Sequence, residues 1–220
     1  MRSLLVYVVD DDADVRNALV SLLESAGYPT QGFASAEFFL DAVAESIAAL
    51  AGCVILDLRM PGLDGLALQR RLVEAGGTIP ILFLTGHGEL PDALVALRAG
   101  AVDFLLKPAD GRLLLRRLAA CWQEETARFQ AWQLQEQVLC VLQRLTGRER
   151  EILGFALQGI RNWAIAKILG LSLRTIEAHR SRLLLKLEAA SVQDWQRCCE
   201  QGGLPTARLI ELLASLRVST

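Results

Sequence analysis

The chain opens with an apolar run, Leu4-Leu5-Val6-Tyr7-Val8-Val9, that stops at Asp10. Three later runs have the same form. Cys53-Val54-Ile55-Leu56 stops at Asp57, Ile81-Leu82-Phe83-Leu84 stops at Thr85, and Ala101 to Leu106 stops at Lys107-Pro108. Unbroken apolar runs of this length suit strands covered on both faces. A weaker strand lies near 29–33. Between the runs, segments near 14–26, 35–45, 64–75 and 91–99 space their apolar residues at helical intervals. Strands alternating with helices predict a parallel sheet with helices on both sides.

Beyond residue 110 the strand signal stops. A long helical stretch runs from Gly111 through Gln143, carrying Leu, Trp and Val among Glu, Gln and Arg. Further helices are expected over 146–158, 162–169, 172–188 and 191–201, with a last amphipathic one from Pro205 to Arg217. Thr146 followed by Glu149 reads as a capping box, and Ser172 before Thr175 marks another start. Gly159 and Gly170 mark helix ends. The pattern therefore predicts an α/β domain over 1–120, a helical linker over 121–142, a small all-α domain over 143–201 and an extension over 202–220. For the extension a packing helix, a dimer element and a poorly ordered end all stay open.

Composition alters this picture little. At 52% hydrophobic and 22% charged residues the chain is globular rather than disordered. The net charge of -2 gives no sign of a nucleic-acid binder, so any basic region has to be found by position. The five cysteines (Cys53, Cys121, Cys140, Cys198, Cys199) form no CxxC pair, and there are two histidines. That argues against a zinc site and a disulfide framework and for reduced thiols in a cytoplasmic protein. The first apolar run is too short for a signal peptide or a membrane span.

The strand ends carry the chemistry. In a doubly wound sheet, ligands gather outside the carboxyl ends of the strands, and Asp10, Asp11, Asp57, Thr85 and Lys107 all stand there. Three carboxylates in one crevice repel unless a cation neutralises them, and hard oxygen ligands suit Mg²⁺. A carboxylate such as Asp57 can then accept a phosphoryl group, with Lys107 and Thr85 holding its oxygens. Taken singly, each residue has a plainer reading. Asp12 and Asp14 are helix caps, Thr85 ends a strand, and Lys107 is a solvated charge. The joint arrangement favours a site.

In the second half, a helix, a Gly-containing turn and a second helix fit a helix-turn-helix. The second helix sets Ile176, His179, Leu183 and Leu187 on one inward stripe. Arg174, Glu177, Ala178, Arg180, Ser181, Arg182 and Lys186 spread over its other faces, leaving it locally basic. Such a helix can enter a major groove, although a basic helix alone is more often a solvated surface.

Val8-Val9-Asp10-Asp11-Asp12, Asp57-Leu58-Arg59-Met60-Pro61-Gly62-Leu63-Asp64-Gly65, Thr85-Gly86-His87-Gly88 and Lys107-Pro108 together resemble the receiver domain of two-component response regulators. The text at Gly86-His87-Gly88 and Ala99 to Phe104 is similar to the FixJ-type subgroup. The resemblance implies a five-stranded flavodoxin-like sheet with Asp57 as phosphoacceptor. Asp11, Asp57 and the Arg59 carbonyl would ligate Mg²⁺, with Asp10 acting through water. Thr85 and Lys107 would bind the phosphoryl oxygens, and Phe104 would move inward with Thr85. A cis Lys107-Pro108 bond is implied, and His87 is a surface residue.

Leu145 to Leu153, Asn162 to Ala166 and Ser172 to Arg180 resemble the LuxR-type DNA-binding domain of NarL/FixJ regulators. By that likeness 172–187 is the recognition helix. Glu177, Ala178 and Ser181 would face bases, Arg174, Thr175, Arg182 and Lys186 would touch phosphates, and His179 would pack structurally. Trp163 stands where many relatives carry Lys, which implies a missing phosphate contact. Glu177 often has a basic counterpart, so its preference shifts toward a cytosine amino group.

The whole resembles a transcription factor switched by phosphoryl transfer from a sensor histidine kinase. Implied partners are a double-stranded DNA operator, RNA polymerase and a second copy of the chain, joined on phosphorylation through the face around 91–99 and 102–106. No membrane partner is implied, and no enzyme activity beyond self-catalysed phosphorylation and dephosphorylation. Two other readings stand beside it. One is a constitutive DNA-binding regulator with an unphosphorylated receiver. The other is an aspartyl-nucleophile phosphatase of the haloacid-dehalogenase type, which would need an Asp-x-Asp on the first strand rather than an Asp on the third.

Overall fold

A computed structural model of the chain describes residues 4–86 and 90–216. The chain divides into two units, Met1–Phe129 and Gln130–Thr220. His87 and Gly88 lie outside the described residues.

The first unit is built on five strands: β1 (Leu4–Val9), β2 (Thr30–Phe33), β3 (Ala51–Leu56), β4 (Ile81–Thr85) and β5 (Asp103–Leu106). They form one parallel sheet in the order β2-β1-β3-β4-β5. Side chains alternate between faces along each strand, which explains why the apolar runs are unbroken. Val6, Val8, Cys53, Ile55, Leu82 and Leu84 enter one core with Leu19 and Leu23 of α1 (Ala13–Ser25) and Leu114 and Leu118 of α5 (Gly111–Gln143). Tyr7, Val9, Val54, Leu56, Ile81 and Phe83 enter the other. There they meet α2 (Ala36–Val43), α3 (Gly65–Glu74) and α4 (Leu90–Arg98) through Phe39, Leu68 and Ala96.

Two boundaries differ from the sequence pattern for local reasons. β5 begins at Asp103 rather than Ala101 because the Ala101 N–H donates to the Ala96 carbonyl and closes α4. The α2 segment stops at Val43 and passes into a 3-10 turn, Ala44–Ala49. α5 is continuous over 33 residues. Of the stretch read as a linker, Cys121 is buried in the first unit, and Val138 and Leu142 are buried in the second.

The second unit is helical: α6 (Gly147–Leu157), α7 (Asn162–Leu169), α8 (Leu173–Leu187), α9 (Val192–Gln201) and α10 (Thr206–Ser215). Its main core joins the end of α5 to Leu153, Leu183, Trp195 and, from α10, Leu209, Leu212 and Leu213. Of the readings left open for the extension, Thr206–Ser215 is a packing helix. Gly170 ends α7 at φ 64, a left-handed conformation that a glycine adopts without steric cost. The charge is unevenly split, with residues 130–220 carrying 12 Lys/Arg against 8 Asp/Glu and residues 1–129 carrying 11 against 17.

Candidate functional site

Sheet register brings the polar strand ends together. Val9 lies beside Leu56, and Thr85 beside Leu106, so the residues that follow meet at one edge. The Asp57 N–H donates to the Val9 carbonyl at 2.9 Å, and the Lys107 N–H to the Thr85 carbonyl at 2.8 Å. The Lys107-Pro108 peptide is cis. Gly65 matters here because a β-carbon at that position would strike the Asp57 carbonyl oxygen. Absence of a side chain lets α3 start against the end of β3.

Asp10 is 2% exposed, Asp57 8% and Thr85 fully buried, whereas Asp11 is exposed. The Lys107 ammonium bridges the two buried carboxylates, at 2.6 Å from Asp10 Oδ2 and 3.0 Å from Asp57 Oδ2. Burial pushes the Asp10 carboxyl above its usual range, and the Lys107 contact opposes that rise. Burial pulls the Lys107 ammonium down, but hydrogen bonds to Asp10 and Asp57 outweigh it and leave it raised.

Asp10, Asp11 and Asp57 each offer a carboxylate oxygen, all within 4.8 Å of one another. Against these three carboxylates stand the ammonium of Lys107 and, on the backbone of Asp10 and Asp11, the guanidinium of Arg16, which still leaves a negative excess suited to a cation. An all-oxygen donor set is the kind that Mg²⁺ accepts. The residues therefore fit the ion that the sequence implies.

Neighbouring groups fix this edge. Asp12 caps α1, accepting from the Asp14 and Val15 N–H groups. That is the cap role read for Asp12, whereas Asp14, read in the same way, lies inside the first turn of α1. Arg16 donates to the carbonyls of Asp10 at 2.7 Å and Asp11 at 3.3 Å. Sequence reading missed Arg16, although its place one turn into the helix after the acidic pair was a signal. The Asp57 Oδ1 accepts from the Arg59 N–H at 3.4 Å, and the Arg59 guanidinium reaches Asp92 of α4 at 2.9 Å. Phe104 is half-buried, with its ring centroid 6.0 Å from that of Phe83.

In the second unit α8 starts from Ser172, whose hydroxyl accepts from the Thr175 N–H. Ile176, Leu183 and Leu187 are buried and His179 half-buried, so the inward stripe is as read. Arg174, Glu177, Ala178, Ser181 and Arg182 are exposed on one face, while Thr175 is half-buried in the cap. Arg180 instead donates to Asn162 Oδ1 at 2.7 Å, tying α8 to α7.

Lys186 differs from the other residues grouped as phosphate contacts. Its ammonium sits 2.7 Å from Glu149 Oε2 and 3.2 Å from the Arg144 carbonyl. Glu149 is 2% exposed and completes the capping box with Thr146. Burial pushes the Glu149 carboxyl up, but Lys186 and Thr146 outweigh it and hold it below its usual range. A carboxyl lowered in this way stabilises the fold above its unfolded value, and the benefit is lost as pH falls through the folded value. Glu149→Ala is expected to weaken this unit by about 2–3 kcal/mol at neutral pH, below the full cost of breaking a buried pair because Lys186 is partly exposed. Hydrogen exchange of α6 and α8 peptides in the full chain measures it. The difference from wild type should shrink below about pH 4.5, near the ordinary carboxyl value.

Residues 6–119 match the family described as the response regulator receiver domain, and residues 143–198 match the bacterial regulatory proteins of the luxR family. The chain belongs to the two-component response regulators. Within them it is of the NarL/FixJ type, a receiver joined to a LuxR-type DNA-binding domain. It is 38% identical over 204 residues to the response regulator protein TodT of Pseudomonas putida, covering 91% of this chain and 87% of that protein. It is 38% identical over 200 residues to the transcriptional regulatory protein FixJ of Bradyrhizobium diazoefficiens, covering 90% and 96%. The solved structure of response regulator StyR superposes with a TM-score of 0.70 at 36% identity, covering 96% of this chain and 98% of that one. Among the described residues no helix is long and apolar enough to cross a membrane.

Proposed function

We propose that this transcription factor is switched by a phosphoryl group carried on Asp57. The observation that carries the reading is the Asp57 carboxylate, 8% exposed, beside Asp10, Asp11 and Lys107 at one sheet edge. A sensor histidine kinase supplies the group from a phosphohistidine. One Asp57 oxygen attacks phosphorus, the phosphorus–nitrogen bond breaks, and the imidazole leaves as an acyl phosphate forms. Bound Mg²⁺ supplies charge neutralisation for this transfer. Asp11, Asp57 and the Arg59 carbonyl would hold it, with Asp10 acting through water. Lys107 exchanges part of its contact with Asp57 for a phosphoryl oxygen, and Thr85 takes another.

The readout surface is the outer face of α4 and β5. Leu94, Val95, Leu97, Val102 and Leu106 there are 43–57% exposed, an apolar surface suited to covering by a second copy. Paired copies place two recognition helices on half-sites about one helical turn apart. Moving the switch from about 1% to 99% active takes roughly 5.5 kcal/mol, which phosphorylation and dimerisation share. On α8, Glu177, Ala178 and Ser181 face bases, and Arg174, Thr175 and Arg182 touch phosphates. Lys186 joins them at most at the rim, because Glu149 holds it. The excess of basic residues in this half supports DNA as the partner, and RNA polymerase is the further partner that transcriptional control implies.

The test is sedimentation of the full chain with acetyl phosphate and Mg²⁺. Wild type should shift to dimer. Val95→Glu should take the phosphoryl group as wild type does but stay monomeric, weakening dimerisation at least tenfold, since one buried unpaired charge costs several kcal/mol. A Val95→Glu chain that dimerises normally would move the interface off this face.

A further inference from the structure

We infer that Trp163 is a DNA-contacting residue, its indole laid against the deoxyribose–phosphate backbone beside the recognition helix. The inference rests on the DNA-binding reading of the second unit. It assigns that unit a charge-free contact at the position where the resemblance implied a missing one.

Trp163 is 63% exposed, whereas Trp195 in the same unit is 9% exposed and part of the core. A large aromatic left in solvent at the second residue of α7 contributes little to folding, and its ring is available to a partner. It borders a groove of about 510 Å³ between α7 and α8, whose lining includes Arg161, Trp163, Leu173, Glu177 and Arg180. Leu173, 45% exposed, lines the same groove and adds apolar surface beside the polar side chains. Glu177 also belongs to the base-facing set. The groove is therefore the flank of the recognition surface and is covered when α8 enters a major groove.

Charge selects the occupant. The N-cap of α7 is Arg161, which makes no side-chain cap hydrogen bond. The first N–H groups of α7 and the exposed Arg161 guanidinium thus present positive charge together. Arg180 is occupied with Asn162 and holds α7 against α8. Glu177, the acidic residue among those that line the groove, repels phosphate. A phosphate accordingly lies at the Arg161 end, which leaves the indole face to the sugar and its N–H to a phosphate oxygen. A protein partner would not need this division of charge, whereas a DNA strand alternates apolar sugar with anionic phosphate along its length.

A lysine at this position would displace a counterion, steepening the salt dependence by about 0.9 in slope per phosphate neutralised. An indole packed on a sugar displaces none. Its share of the affinity is independent of salt, so binding persists at ionic strengths that weaken the arginine contacts.

The experiment uses the full chain, treated with acetyl phosphate, and a duplex enriched on wild type from a randomised pool. Affinity is titrated by fluorescence anisotropy at several salt concentrations. Trp163→Ala should bind roughly tenfold more weakly at every salt concentration, with an unchanged slope. Trp163→Lys should recover affinity at low salt and steepen the slope by about 0.9. Equal melting temperatures for wild type and Trp163→Ala establish that the fold is intact, which the exposure of the ring predicts. If Arg182→Ala weakens binding while Trp163→Ala binds as wild type does, the Trp163 assignment is overturned and the DNA reading stands. If wild type enriches no duplex, the DNA reading fails and the assignment fails with it. A Trp163→Ala chain that loses self-association but not DNA affinity would make the groove a protein interface and overturn the assignment.

Discussion

Asp57→Asn should abolish phosphoryl capture completely. Incubated with acetyl phosphate and Mg²⁺, wild type should gain the mass of one phosphoryl group, labile at alkaline pH, and the variant none. The amide keeps the shape of the carboxylate and can still meet Lys107, so the sheet edge survives. What it lacks is the nucleophilic oxygen pair and one of the three charges that attract a divalent cation. Asp10 is the less accessible of the two buried carboxylates, 2% exposed against 8% for Asp57, and the shorter Lys107 contact is its own, at 2.6 Å against 3.0 Å. Asp11 is exposed, and the ion pairs of Lys107 go to Asp10 and Asp57. An adduct on Asp57→Asn at the wild-type level would place the phosphoacceptor elsewhere in the cluster.

Lys107→Ala should be the most destabilising change at this edge. Asp10 is almost fully buried and Asp57 nearly so, and both rest on the one ammonium. Removing one partner of a buried ion pair leaves the other charge desolvated and unpaired, a loss of about 3 kcal/mol or more. Here two carboxylates are stranded beside each other, so repulsion adds to the loss. Denaturant unfolding of the full chain in metal-free buffer should show the deficit in the transition of the first unit. Millimolar Mg²⁺ should restore more stability to the variant than to wild type, because a cation held by the carboxylates replaces the missing charge. Equal stabilities without metal would mean that solvent already neutralises the pair and that Lys107 is a surface charge.

Much of the first unit was legible because its physics is local. Strands covered on both faces must be apolar throughout, and the polar residue at the end of each run marks the sheet edge where the site forms. The cap roles of Asp12 and Thr146 were legible for the same reason, since a cap reaches only two or three residues. Contacts across long separations were not. Glu149 reads as a capping residue, and nothing near it in sequence points to Lys186, 37 positions on. That pair takes Lys186 out of the freely exposed basic face that helical spacing alone suggested. The 3-10 turn after Val43 was likewise hidden, because apolar spacing over 35–45 does not reveal where a helix tightens. Trp163 was legible as a departure from the resemblance, but its 63% exposure was not, because exposure is set by how α7 packs rather than by residue type.

We propose that the phosphoryl group on Asp57 governs DNA binding. It is tested most directly by the affinity of the full chain for an enriched duplex, measured with and without acetyl phosphate in Mg²⁺, for wild type and for Asp57→Asn. The donor should tighten wild-type binding at least tenfold and leave Asp57→Asn unchanged. Wild-type affinity that is high and indifferent to the donor would contradict it and identify a constitutive DNA-binding regulator.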